Sequence, residues 1–274
     1  MTLPRGFDSI VAKCAFALLA GIVLISLLAP WIAPYNPNQI DMRHRLAPVS
    51  GEHLLGTDTL GRDLLSRVVY GGRVSILLSM LATAVTMLIG LIVGTLAGYY
   101  GGRIDDLVFL ITNLFQGLPS MSLMVALAGI LGPGVGSLLL ALVITAWPGF
   151  SRIVRGEVLK IREKEYIEGI RAIGGGNLYI IVHYILPNML GPLVVIFTIR
   201  ISRGILSIAS LSFLGLGLQP PTPDWGVMIR DAIMYFRGHP LLIIAPGIAI
   251  FATSLSINLL GDALRDYFDV RIKQ

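Results

Sequence analysis

The chain has 274 residues, of which 55% are hydrophobic and 14% charged, and it carries a formal net charge of +5 at pH 7. Soluble domains contain about 25% charged residues, so this composition excludes a soluble globular protein. Six long segments lack charged residues, and each can hold a transmembrane helix of roughly 20 apolar residues. The single cysteine, Cys14, excludes an internal disulfide and any site built from several cysteines.

The apolar segments predict an all-α integral membrane protein with six transmembrane helices. In chain order the predicted spans are 11–32, 74–99, 107–131, 137–153, 190–214 and 241–260. The first is too long for the apolar part of a signal peptide, so we expect it to be retained. Lys and Arg, including Arg5 and Lys273, are more numerous on one face, which favours two cytoplasmic termini. They flank apolar runs without interleaved aromatics, so a bilayer is favoured over nucleic acid as the partner.

Two external loops, 33–72 and 215–240, are too long to be simple connectors. In the first, we predict a short amphipathic helix that Asp58 caps and Gly71-Gly72 ends. Its apolar face would consist of Leu60, Leu64, Leu65 and Val68. In the second, prolines followed by Trp225 indicate a rigid turn with an aromatic anchor at the membrane interface. Both loops could contact a molecule from outside or pack as lids on their own helices.

Small residues and prolines predict how the spans pack and bend. Gly90, Gly94 and Gly98 recur every four residues on the second span, which lets a neighbouring helix approach closely. Pro119, Pro148 and Pro246 lie inside or at the ends of spans and should bend them.

The segment 152–188 is rich in charge and lies between two spans. Tyr166, Ile170 and Ile173 recur at helical spacing, which predicts a short amphipathic helix that the glycines 174–176 end. Leu186-Pro187 should mark the start of the next span. The short helix could dock in the groove of a partner or lie flat on the lipid surface.

Within this segment, Glu168-Gly169-Ile170 followed by Gly174 resembles the EAA loop of binding-protein-dependent ABC importers. Three further stretches resemble the second permease subunit of the peptide/nickel importers: HLLGTDTLGRDLLSRVVYGGR (53–73), LSFLGLGLQPPTPDWGVMI (211–229) and NLLGDALRDYFD (258–269). The resemblance implies a type I ABC importer permease fold as a single transmembrane permease domain, 1–274. It also implies that the short helix couples to an ATPase through Tyr166, Ile167, Glu168, Gly169, Ile170, Arg171, Ile173 and Gly174.

The same resemblance implies the partners. These are a homologous second permease subunit, two ATPase subunits that bind ATP and Mg²⁺, and an extracytoplasmic solute-binding protein. The chain itself has no G-x-x-x-x-G-K-[ST] phosphate loop, so we expect it to bind no cofactor and to be no enzyme. His44, His53, His183 and His239 are scattered without metal-ligand spacing. A stand-alone channel or secondary transporter is the alternative, but the spans contain no Asp or Glu for ion coupling.

Polar residues inside the spans indicate a translocation path. Arg200 and Arg203 lie deep in the fifth span and share a stripe with Ser207. The other residues assigned to the path are Asn113 and Gln116 on the third span and Ser254 and Asn258 on the sixth. Alternatively, the arginines reach carbonyl groups or lipid headgroups near the inner surface.

Arg200 and Arg203 also indicate which kind of solute is transported. Peptide permeases of the resembling family commonly have small neutral residues at positions 200 and 203, and a glutamate where this chain has Ile208. Nickel-type relatives lack that glutamate and have polar or charged residues at the arginine positions. We therefore favour a nickel or metal-chelate importer over a di- or oligopeptide importer. Because two arginines repel a bare cation, such a chelate should carry carboxylates.

Overall fold

The computed structural model describes residues 9–272, with side chains up to Phe268, so Arg5 and Lys273 lie outside the described residues. The described residues are almost entirely helical, and their only pairing of extended backbone is an isolated bridge between Thr57 and Asp63. The α-helices are α1 (Ile10–Leu27), α2 (Ala29–Ile32), α3 (Leu64–Tyr100), α4 (Gly102–Gln116), α5 (Ser120–Leu131), α6 (Val135–Arg162), α7 (Glu165–Ala172), α8 (Asn177–Ile180), α9 (Leu186–Phe213), α10 (Trp225–Ala232) and α11 (Leu241–Ile272).

Among the described residues, five helices are long and apolar enough to cross a membrane: α1, α3, α6, the continuous helix Asn177–Phe213 and α11. Helices α4 and α5 meet the same test together, but they are bent by 86° at their junction. The bend predicted at Pro119 is therefore confirmed within the predicted span 107–131, and counting the bent pair as one span gives six. Pro119 directly precedes α5, and a proline disfavours helical backbone at the residue before it, which explains the break.

The prediction of a separate short helix in the first external loop is wrong. Asp63, not Asp58, caps the helix by accepting a 2.8 Å hydrogen bond from the Ser66 N–H. The helix then runs through Gly71 and Gly72 without a break. A Cβ at Gly71 would lie 2.9 Å from Cδ1 of Trp225, so these glycines allow close packing and do not end the helix.

Trp225 is a packing residue, so its prediction as an interfacial anchor is wrong. Its side chain is 2% exposed, and its indole N–H donates a 2.9 Å hydrogen bond to the Val68 carbonyl. The preceding residue, Asp224, caps α10 and accepts a hydrogen bond from the Ser75 hydroxyl. Burial raises the pKa of Asp224, and hydrogen bonds to its carboxyl oppose that shift. The segment 215–240 thus packs on α3, as in the lid alternative.

The close approach predicted at Gly90, Gly94 and Gly98 is confirmed, and the neighbouring helix is α6. A Cβ at Gly90 would lie 2.6 Å from Cδ1 of Phe150, and one at Gly94 would lie 2.4 Å from the Ser151 carbonyl oxygen. Because the three glycines share one face, they bring α3 and α6 together over about 12 Å of helix, at a rise of about 1.5 Å per residue.

The start of the fifth span lies earlier than Leu186-Pro187. The chain is already helical from Asn177, and a π-helical turn, Ile181–Ile185, leads directly into α9. Proline has no N–H to donate to the carbonyl four residues back, so the hydrogen-bond ladder must change near Pro187. The wider turn accommodates this change, and the helix continues.

Candidate functional site

Helix α7 is fixed to one end of the bundle through a single buried side chain. Ile167 is fully buried in an apolar cluster that includes Tyr99 of α3, Val158 of α6 and Ile185 of the π turn. The structure thus places Ile167, predicted as a residue that contacts a partner, inside the chain's own core. Ile170 is half-buried and packs against the same cluster.

The remaining residues predicted for coupling lie on the outer face of α7 and at its end. Ile173 is 86% exposed and Tyr166 is 41% exposed. Also exposed are Glu168, Gly169, Arg171 and Gly174. Gly174 has a φ of +90°, a conformation in which side chains other than glycine are strained, and this ends the helix as predicted.

A network of polar contacts connects the ends of α3, α6 and α8 next to α7, and the sequence analysis did not predict it. Arg162 donates hydrogen bonds to the carbonyl oxygens of Gly98 and Tyr99, at 3.1 and 2.9 Å. The Tyr99 hydroxyl donates to the side chain of Asn177, and the Arg171 guanidinium lies 5.4 Å from the Tyr99 ring centroid. The sequence signal for these contacts is the high density of Arg at the end of α6, which by itself indicates only the topology.

A cavity of 510 Å³ lies between α3, α4, α5, α6 and α9. It gathers four residues predicted for the translocation path: Gln116, Arg200, Arg203 and Ser207. Threonine hydroxyls add to its polar lining, and these were missed although Thr83 and Thr86 share a helix face. Within the part of the chain that the structure describes, no carboxylate lines this cavity.

Three other residues predicted for the path do not line the cavity. Asn113 is exposed on α4 and accepts a hydrogen bond from Arg152. Ser254 is buried where α11 packs on α9, and its carbonyl oxygen accepts a 3.2 Å hydrogen bond from the Ser202 hydroxyl. Asn258 is exposed on α11. Their place on the path stays a prediction.

Close packing between α3 and α9 sets the position of the two arginines. A Cβ at Gly204 would lie 2.3 Å from the Ser79 hydroxyl oxygen, and that hydroxyl donates a 2.6 Å hydrogen bond to the Ile201 carbonyl. Arg200 Cζ lies 5.0 Å from the centroid of the Phe150 ring, a cation–π distance. An arginine at the centre of a membrane helix costs about 2.5 to 3.5 kcal/mol on insertion scales, so both need a polar surrounding such as this cavity.

The structure brings two of the scattered histidines together outside this site. The rings of His44 and His53 lie 5.7 Å apart, and each has a ring nitrogen within hydrogen-bond distance of a carboxylate, Asp41 and Asp63 respectively. The hydrogen bond with His44 lowers the pKa of Asp41. Among the side chains that the structure describes, up to Phe268, no group of three or more His, Cys, Asp or Glu is placed to hold a metal ion.

A multi-pass helical membrane protein with a polar cavity between its spans and a short helix mounted at one end has the architecture of a transport permease. Residues 90–274 match the family described as the binding-protein-dependent transport system inner membrane component. Residues 9–48 match the N-terminal TM domain of oligopeptide transport permease C. The chain therefore belongs to the permease subunits of binding-protein-dependent ABC importers, and the resemblance found in the sequence is confirmed.

Similar proteins come from several importers. The chain is 39% identical to the di/tripeptide transport system permease protein DppC of Pseudomonas aeruginosa (strain UCBPP-PA14), over 92% of this chain and 85% of that protein. It is 36% identical to the nickel transport system permease protein NikC of Escherichia coli (strain K12), over 94% and 93%. It is 40% identical to the glutathione transport system permease protein GsiD of Escherichia coli O6:K15:H31, over 96% and 87%.

Proposed function

We propose that this chain forms half of the translocation path of an importer and couples it to ATP hydrolysis through α7. The complex would contain a homologous second permease subunit, two ATPase subunits that bind ATP and Mg²⁺, and an extracytoplasmic binding protein. Both termini would then lie in the cytoplasm, with α7 at the inner membrane surface. The cargo would be a small peptide, a nickel or other metal chelate, or a related solute, in keeping with the names of the relatives.

The observation that carries this proposal is the mounting of α7. Ile167 anchors the helix in the core, while Tyr166, Glu168 and Ile173 remain exposed on its outer side. A helix that is anchored on its inner face and exposed on its outer face can move as a rigid body when a partner binds it. Lipid contact is the other explanation of the apolar side chains, but exposed Glu168 and Arg171 favour a protein groove over a lipid surface.

The proposal is tested by Glu168→Lys and Gly174→Asp in the assembled transporter. Glu168→Lys reverses a charge within the docked interface, and Gly174→Asp adds a charge at a residue whose φ of +90° also strains the new side chain, so uptake should fall about tenfold or more in both variants. Solute-stimulated ATP hydrolysis should fall with it, while membrane insertion of this chain stays normal. Glu163→Lys is the matched control, because it makes the same charge change at an exposed residue just outside α7. Normal uptake in both Glu168→Lys and Gly174→Asp would contradict the coupling role.

A further inference from the structure

The lining of the cavity between α3, α4, α5, α6 and α9 is positively charged, and helix packing alone does not explain this charge. Two guanidinium groups, those of Arg200 and Arg203, open into it, and none of its lining residues in the described part of the chain is acidic. The other polar groups are hydroxyls and the amide of Gln116. Such a set donates hydrogen bonds and attracts negative charge, and nothing in it compensates a bound cation.

The two arginines have different surroundings. Arg200 is half-buried, lies over the Phe150 ring and directs a long, 3.4 Å hydrogen bond at the Ala146 carbonyl. Arg203 is exposed at the cavity, one helical turn further along α9, and within residues 9–268 it forms no hydrogen bond or ion pair. The protein therefore holds one guanidinium in place and leaves the five N–H donors of the other available.

We propose that Arg203 binds a carboxylate of the cargo in this cavity, and that Arg200 is a positioning residue that adds positive charge behind it. A guanidinium can donate two parallel hydrogen bonds to one carboxylate, which selects for that group over neutral ones. The carboxylate would belong either to the C-terminus of a peptide or to the organic part of a metal chelate. This inference deepens the proposed function, because it assumes that the cavity lies on the translocation path.

The charge of the cavity is measured first. A reporter cysteine is introduced as Ser207→Cys in a Cys14→Ser background, and the complete transporter is assembled in lipid nanodiscs. Its rates of modification by an anionic and a cationic methanethiosulfonate are compared with those of a reporter at the exposed Ser50. The ratio of anionic to cationic rates should be about tenfold higher at position 207 than at position 50, because a charged cleft concentrates counter-ions.

Substitution then assigns this selectivity to the arginines. Arg200→Gln with Arg203→Gln should lower the ratio at position 207 to the value at position 50. Arg203→Lys should keep it, since the charge remains. Arg237→Gln, which removes an arginine that does not line the cavity, is the matched control and should change nothing. A ratio that the double glutamine variant leaves unchanged would overturn the proposal.

Protection of the reporter identifies the source of the carboxylate. Alanyl-alanine that slows modification, where alanyl-alanine amide does not, supports a peptide carboxylate. Protection by nickel citrate without protection by alanyl-alanine supports a chelate. In either case Arg203→Gln should abolish protection, and Arg203→Lys should retain part of it. Equal protection by the dipeptide and its amide, or none by either carboxylate probe, would overturn the proposal.

The same variants, with uptake measured in proteoliposomes, separate this inference from the proposed function. Glu168→Lys should lose uptake but keep the charge selectivity at position 207, because α7 contributes none of the residues that line the cavity. Wild-type uptake in the double glutamine variant, at matched protein level, would refute carboxylate binding by Arg203 and leave the coupling role intact.

Discussion

Arg200 lies over the ring of Phe150, 5.0 Å from its centroid, and Phe150 belongs to the same apolar cluster as Ile167 of α7. One group of packed side chains therefore borders both the polar cavity and the helix proposed to contact the ATPase. Packed side chains do not deform continuously, so a displacement of α7 would be passed to this cluster as a whole. The arrangement supplies a physical connection between the two parts of the proposed function, and mutation of the cluster tests it.

Replacing Ile167 with Ala should separate anchoring from docking. Because this side chain is fully buried, its truncation should lower the free energy of unfolding by about 2 to 5 kcal/mol. Ile173→Ala is the matched variant: its side chain is 86% exposed, so stability should change by less than about 0.5 kcal/mol while solute-stimulated ATP hydrolysis falls. Thermal unfolding in detergent and the ATPase rate of the complex measure the two effects. Equal loss of stability in both variants would contradict the division of roles.

Replacing Gly94 with Ala should weaken the contact between α3 and α6. The added methyl group would lie 2.4 Å from the Ser151 carbonyl oxygen and 2.7 Å from Val154 Cβ, so the helices must move apart. The expected cost is about 1 to 3 kcal/mol of unfolding free energy. Gly129→Ala is the control, because nothing lies within 4 Å of the position of its Cβ. Unfolding temperatures in detergent report the difference, and an unchanged value for Gly94→Ala would show that the helices have room to adjust.

The orientation in the membrane is tested by cysteine labelling after Cys14, which is exposed, has been replaced. A membrane-impermeant thiol reagent added to intact cells should react with a cysteine at Ser50 or Pro221 and not with one at Lys160. A cysteine at Gln274, which lies outside the described residues, should also remain unlabelled. The expectation rests on the excess of Lys and Arg on one face. Labelling of the cysteine at Lys160 alone would show the opposite topology, with α7 outside the cytoplasm.

The candidate site was only partly predictable. Arg200, Arg203 and Ser207 could be grouped from the sequence because residues three or four apart on one helix share a face. Gln116, predicted from another helix, lines the same cavity, whereas Ser254 and Asn258, predicted by the same reasoning, lie elsewhere. Helical spacing gives the face of each helix and does not say which other helix that face meets. The threonines of α3 and the contact between Arg200 and Phe150 depend on such pairings, so they required the fold.

By itself, the sequence determined the apolar segments, the amphipathic character of α7, the glycine contacts of α3 and the absence of a phosphate loop. These properties are local, since hydrophobicity, helical period and motif spacing are each read within one stretch of chain. Only the tertiary structure decided that α3 continues through Gly71-Gly72 and that Trp225 is buried. The reason is physical. A glycine pair can end a helix where the backbone is exposed to water, but the helix continues where another side chain packs against the glycines. At Gly71 that side chain is Trp225, which follows 154 residues later in the chain.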